Sequence, residues 1–91
     1  MLSLPFPAFP NIDLVETGHN IARLRKEAGY SVKDLQDYFG FTAPQAIYKW
    51  QNGECLPTTD NLLALSCLLR IPMDEILVRR GSDSQALRAA A

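Results

Sequence analysis

Between Gly40 and Gly53 the chain has room for one short helix and little else. Glycine takes the left-handed conformation that closes a helix, so Gly40 suits the end of a preceding helix and Gly53 the end of the one that follows. Pro44 is tolerated only in a first turn, where its missing N–H has no partner to lose. That places the helix start at about Ala43 or Pro44, with Thr42 or Ala43 as cap. The helix then covers about residues 43–52. Ile47 and Trp50 lie three apart and share a face, which leaves Gln45, Tyr48, Lys49 and Asn52 directed elsewhere. The first pair predicts a helix seated on a core by an apolar side. The second set is rich in groups that grip or read a polymer.

The rest of the chain reads as helices arranged around this one. Ile21, Leu24 and Ala28 recur at intervals of three and four, with Arg23, Arg25 and Lys26 between them, which predicts a first helix over residues 17–28 ending at Gly29. Ser31 followed three residues later by Asp34 resembles a capping box, and Val32, Leu35 and Phe39 supply the inner face of a second helix over residues 32–39. Thr58 suits the cap of a fourth helix. Its Leu62, Leu63, Leu65, Ser66, Leu68 and Leu69 are apolar nearly all round, the pattern of a helix enclosed by its neighbours. Ile71-Pro72 ends it, and a last short helix starts near Pro72 or Met73 with Asp74 and Glu75 in its first turn.

Two segments fall outside this pattern. Residues 1–16 hold Pro5, Pro7 and Pro10 interleaved with Leu4, Phe6, Phe9 and Ile12, which forbids a helix and predicts an apolar arm. Residues 79–91 read as a tail that frays or continues as a weak helix. The domain is expected over residues 17–78.

Charge narrows the function. The formal net charge is −1, which excludes a chain coated in basic residues. Its distribution is uneven: residues 18–53 are net +2 and residues 38–53 contain no acid at all. Cys55, Cys67 and His19 form no metal-binding spacing, so no metal or cofactor is expected. Cys67, within the leucine-rich helix, reads as a small core hydrophobe, Cys55 as a loop thiol and His19 as a surface residue. No apolar run is long enough to span a membrane, and the proline-broken start lacks the basic n-region of a signal peptide, so a cytoplasmic protein is expected. An enzyme has no support, since no carboxylates pair with a histidine and no glycine-rich phosphate loop occurs.

With Ile21, Leu24, Arg25 and Gly29, then Ser31 to Gly40, Ile47, Asn52-Gly53, Pro57 and Leu62, and finally Met73-Asp74-Glu75-Ile76-Leu77, the sequence resembles the Cro/CI-type helix-turn-helix domain of the XRE family of bacterial and phage transcription regulators. The resemblance implies an all-α, five-helix, lambda-repressor-like DNA-binding domain whose third helix enters the major groove of double-stranded DNA. On that motif Pro44 and Gln45 occupy the leading base-reading positions and Lys49 lies one turn on. Gln45 would pair with the N6/N7 edge of adenine, and Lys49 with guanine or a phosphate. Ser31, Val32 and Lys33 at the start of the second helix, Tyr48, and the Asn52-Gly53 backbone would hold the sugar–phosphate backbone. Arg25, Ile47, Trp50 and Gln51 are assigned structural roles.

The sequence departs from the family pattern at four places. Residues 40–47 are one longer than in the simplest members. Val32 replaces a common glutamine, Glu54 stands where a base is usual, and Gln51 replaces the glutamate that often pairs with the arginine here numbered Arg25. An amide accepts a hydrogen bond from that guanidinium without neutralising it, so Arg25 is expected to be half-buried. Weak backbone grip favours a homodimer on two half-sites. The alternative is an antitoxin or other interaction module that keeps the fold and uses its apolar arm on a protein partner such as a toxin.

Overall fold

The computed structural model describes residues 5–7 and 9–81. Five helices follow in order: α1 (Leu14–Glu27), α2 (Val32–Phe39), α3 (Gln45–Gln51), α4 (Thr59–Leu69) and α5 (Met73–Ile76). Among the described residues the one extended pairing is an isolated antiparallel bridge between Ile12 and Arg79. The expected tail beyond Gly81, with Leu4 and the rest of residues 1–4, lies outside the described residues.

Local chemistry sets most of these boundaries. Ser31 and Asp34 form the reciprocal capping box, with Asp34 N–H donating to Ser31 Oγ at 3.0 Å and Ser31 N–H to Asp34 Oδ2 at 2.8 Å. Thr58 caps α4 through the Asn61 amide. α1 begins three residues before the expected start. Asp13 supplies the cap, its Oδ1 accepting from Glu16 N–H at 2.9 Å and its carbonyl from Thr17 N–H at 2.9 Å. The apolar repeat that signals the helix begins downstream of this polar cap.

The core joins every helix: Ile21 and Leu24 from α1, Leu35 from α2, Ile47 and Trp50 from α3, Leu65 and Leu69 from α4, and Ile76 from α5. Each such side chain contributes about 1.5–3 kcal/mol by leaving water. α4 departs from expectation here. Leu63 is 53% exposed and Cys67 is exposed, so α4 is enclosed on one side only and Cys67 is a surface thiol. Four other helices of four to fourteen residues are too few and too short to wrap a fifth.

The two ends of the helical body are clasped together. Asp13 N–H donates to the Val78 carbonyl at 2.8 Å and Arg80 N–H to the Asn11 carbonyl at 2.7 Å. Behind them the hydroxyl of buried Thr17 accepts from Val78 N–H at 2.9 Å. Asn20 of α1 adds two bonds from its side-chain amide to the carbonyls of Glu75 and Ile76.

Candidate nucleic-acid interface

The turn between α2 and α3 is closed by backbone geometry that the sequence demands. Gly40 sits at φ 72°, in the left-handed region, and lets two amides turn back onto α2: Gly40 N–H to Asp37 O at 3.2 Å and Phe41 N–H to Gln36 O at 3.0 Å. The Gln36 side chain adds a bond to the Phe41 carbonyl at 3.3 Å. Phe39 and Phe41 stack across the glycine at 5.2 Å, and both meet Trp50 edge-on, at 5.4 and 6.0 Å. This aromatic trio locks α2, the turn and α3 into one piece, and such contacts add about 0.5–1.5 kcal/mol each beyond their burial. Phe41 follows the helix-ending glycine, and its packing role emerges only in three dimensions.

α3 starts at Gln45, slightly later than expected. Pro44 is itself the cap residue, its carbonyl accepting from Tyr48 N–H at 3.1 Å, and no side-chain hydrogen bond caps the helix. The division of faces follows the sequence reading: Ile47 and Trp50 are buried, whereas Gln45, Tyr48, Lys49 and Asn52 are exposed and Pro44 is half-buried. Lys49 has no ion-pair partner among the described residues, whereas Lys33 is held by Asp37 at 2.6 Å and Arg23 by Glu27 at 2.9 Å.

The far end of α3 is pinned to α1. Arg25 is only 8% exposed, more deeply buried than the half-buried state expected. Its Nε donates to Gln51 Oε1 at 2.9 Å and an Nη to the Tyr30 carbonyl at 2.8 Å, so two strong neutral acceptors take the place of a carboxylate. Gly53, at φ 75°, lies so close to α1 that a Cβ there would stand 2.8 Å from Val15 Cα. Gly18 presents its bare Cα to the last turn of α3, where a Cβ would come within 2.6 Å of the Gln51 carbonyl oxygen and still closer to that of Trp50. The sequence reading missed Gly18. The available signal was a glycine inside a helical pattern, which marks close approach of another backbone when it is kept in spite of its helix-weakening cost.

Two expected backbone contacts change on inspection. The amides of Asn52 and Gly53 donate to the Tyr48 and Trp50 carbonyls, at 2.8 and 3.1 Å, and are spent in closing α3. At the start of α2 the Ser31 amide is committed to Asp34, which leaves the amides of Val32 and Lys33 without an acceptor among the described residues. That Ser31 backbone N–H, and after it the Ser31 hydroxyl, hold the Asp34 carboxyl below its ordinary range, against an opposing push from burial.

Two helices joined at a tight glycine turn, the second seated by an apolar side and offering a polar one to solvent, define a helix-turn-helix module. The chain belongs to the helix-turn-helix family, whose model matches residues 21–76. Among solved structures it is similar to the restriction-modification controller protein C.AhdI from Aeromonas hydrophila, at 26% identity over 70% of this chain and 96% of that one, with a TM-score of 0.62. It shares the fold of the DNA-binding domain of S. venezulae BldD, at 18% identity over 72% of this chain and 97% of that one, also with a TM-score of 0.62. No curated protein matches the chain.

Proposed function

We infer that this chain is a DNA-binding transcriptional regulator that presents the outer side of α3 to the major groove and acts as a homodimer. The observation that carries the reading is the division of α3. Ile47 and Trp50 seal one side while Gln45, Tyr48, Lys49 and Asn52 stand in solvent, within an acid-free stretch over residues 38–53. Membership of the helix-turn-helix family and likeness to a controller protein support it. An α-helix fits the major groove, and the first turn of α3 puts Pro44 and Gln45 at the leading edge. Gln45 offers a carboxamide for the N6/N7 edge of adenine; Lys49, one turn on and unpaired among the described residues, reaches guanine or a phosphate. The open Val32 and Lys33 amides at the start of α2, the Tyr48 hydroxyl and the Asn52 carboxamide hold phosphates and set register. One copy makes few such contacts, so two copies on two half-sites supply the affinity. Recognition, with no cofactor and no catalysis, is the activity, and the cytoplasm of a bacterium is its place.

The test is selection from a random duplex library at two salt concentrations. An enriched site is expected. Gln45→Ala should relax preference at one base position at a cost of about 1–3 kcal/mol. Lys49→Ala, if phosphate-facing, should weaken all sequences alike and shallow the salt slope by about one. No site bound better than bulk DNA at low salt would refute the reading. A second reading, an antitoxin-like interaction module that retains this fold, draws on the exposed Phe6 and Phe9. Co-purification of a host toxin without any selected DNA site would favour it.

A further inference from the structure

The described part of the N-terminal arm carries a feature that α3 does not use. Pro5, Pro7 and Pro10 have their φ fixed by the ring, and Phe6 and Phe9, each preceding a proline, are held in the extended or polyproline II region. Phe6 and Phe9 are the large apolar side chains of this described part. They stand 78% and 86% exposed, so the arm's own domain does not receive them. The prolines also remove backbone donors, which blocks strand addition along this segment and leaves side chains as its means of attachment.

The same chain exposes an apolar patch that no other described residue covers. Leu63, 53% exposed, and Cys67 lie one turn apart on α4. Tyr38 of α2, 48% exposed, borders them, its hydroxyl donating to the Ala64 carbonyl at 3.3 Å. We propose that Phe6 and Phe9 of one copy dock on the Tyr38, Leu63 and Cys67 patch of a second copy, and reciprocally, an assignment of the dimer surface that rests on the homodimer reading above. Area supports this occupant. A phenylalanine offers about 200 Å², so the two exposed rings of one arm remove roughly 330 Å² from water. Tyr38, Leu63 and Cys67 leave roughly 250 Å² to cover, so both arms and both patches together bring at most about 1,150 Å², which clears the roughly 1,000 Å² expected of a biological interface. Proline stiffness keeps the ordering cost of the arm low.

Sedimentation equilibrium of the full chain, from micromolar to several hundred micromolar, tests the proposal with two variants, Phe6→Ser/Phe9→Ser and Leu63→Asp. The parent is expected to dimerise. Each variant should raise the dimer dissociation constant by about tenfold or more, with the far-ultraviolet circular dichroism spectrum unchanged because the altered residues are exposed. A dimer indifferent to the arm variant overturns this inference and leaves the dimer reading standing. A dimer weakened by the arm variant and not by Leu63→Asp overturns the receiving patch. A parent that stays monomeric throughout overturns both the inference and the homodimer on which it rests.

Discussion

Gly18→Ala isolates a conflict between local preference and packing. In the interior of a helix, alanine is favoured over glycine by about 1 kcal/mol, so on propensity alone the substitution stabilises α1. The structure reverses the sign. The new Cβ would lie 2.6 Å from the Gln51 carbonyl oxygen and 2.9 Å from its carbon, and nearer still to the Trp50 oxygen. These obstacles are backbone atoms in the last turn of α3, which cannot rotate aside as a side chain can. Restoring ordinary contact requires α1 and α3 to separate by about 0.8 Å, which forfeits part of the dispersion attraction between them. The shift also stretches the Arg25–Gln51 bond, worth about 1.5 kcal/mol for a charged donor. Overpacking of this kind costs about 1–3 kcal/mol. With the bond added and the propensity gain subtracted, the net loss is about 2 kcal/mol, or about 10 °C in Tm for a domain of this size. Thermal and urea unfolding followed by circular dichroism measure it, with His19→Ala on the exposed side of the same helix as a near-neutral control. A Gly18→Ala protein that melts at or above the parent temperature refutes the argument.

The other expectations rest on separate contacts. Gln51→Glu supplies the buried Arg25 with a carboxylate and should raise the urea midpoint at neutral pH by an amount equivalent to about 1–2 kcal/mol; the gain should fade in acid, because a carboxylate whose folded pKa is depressed stabilises only while ionised. Arg70 ends α4 at φ 58°, a region that suits glycine, so Arg70→Gly should stabilise by about 1 kcal/mol in the same assay. The lowered pKa of Asp34 predicts a capping contribution that is full above the unfolded carboxylate value near about 4 and disappears as pH falls through the folded value. Asp34→Asn should therefore reduce stability at neutral pH and flatten its fall in acid, read from melting curves across that range.

The parts of the molecule that were legible in the sequence are those governed by neighbours in the chain. The capping box at Ser31, the stop at Gly40, the cap at Thr58 and the apolar pair Ile47 and Trp50 all depend on spacings of three or four residues, and each stands as read. The faces of α3 were legible for the same reason. What escaped depends on which elements meet. Gly18 is explained only by the last turn of α3 resting on it, and Phe41 only by its stack on Phe39 and its edge-on contact with Trp50. The exposure of Leu63 and Cys67 follows from how few helices surround α4, which an apolar pattern along α4 itself does not reveal. The burial of Arg25 exceeds expectation because its second acceptor, the Tyr30 carbonyl, is a backbone atom with no signature in the sequence.

The clasp between Ile12 and Arg79 has a mechanical consequence. Because the pairing is antiparallel, Asn11 and Arg80 lie side by side at the same end of it. Tension applied outward through the two flanking segments therefore loads the hydrogen bonds in sequence and not in parallel. The Arg80–Asn11 bond takes the force first, then the Val78–Asp13 bond, and last the bond from Val78 to the Thr17 hydroxyl. An arrangement loaded in that order peels at low force, whereas one loaded in shear holds until all its bonds yield together. A tug on the flanks would thus strip residues 11–13 and 78–80 from one another before the load reached the five helices.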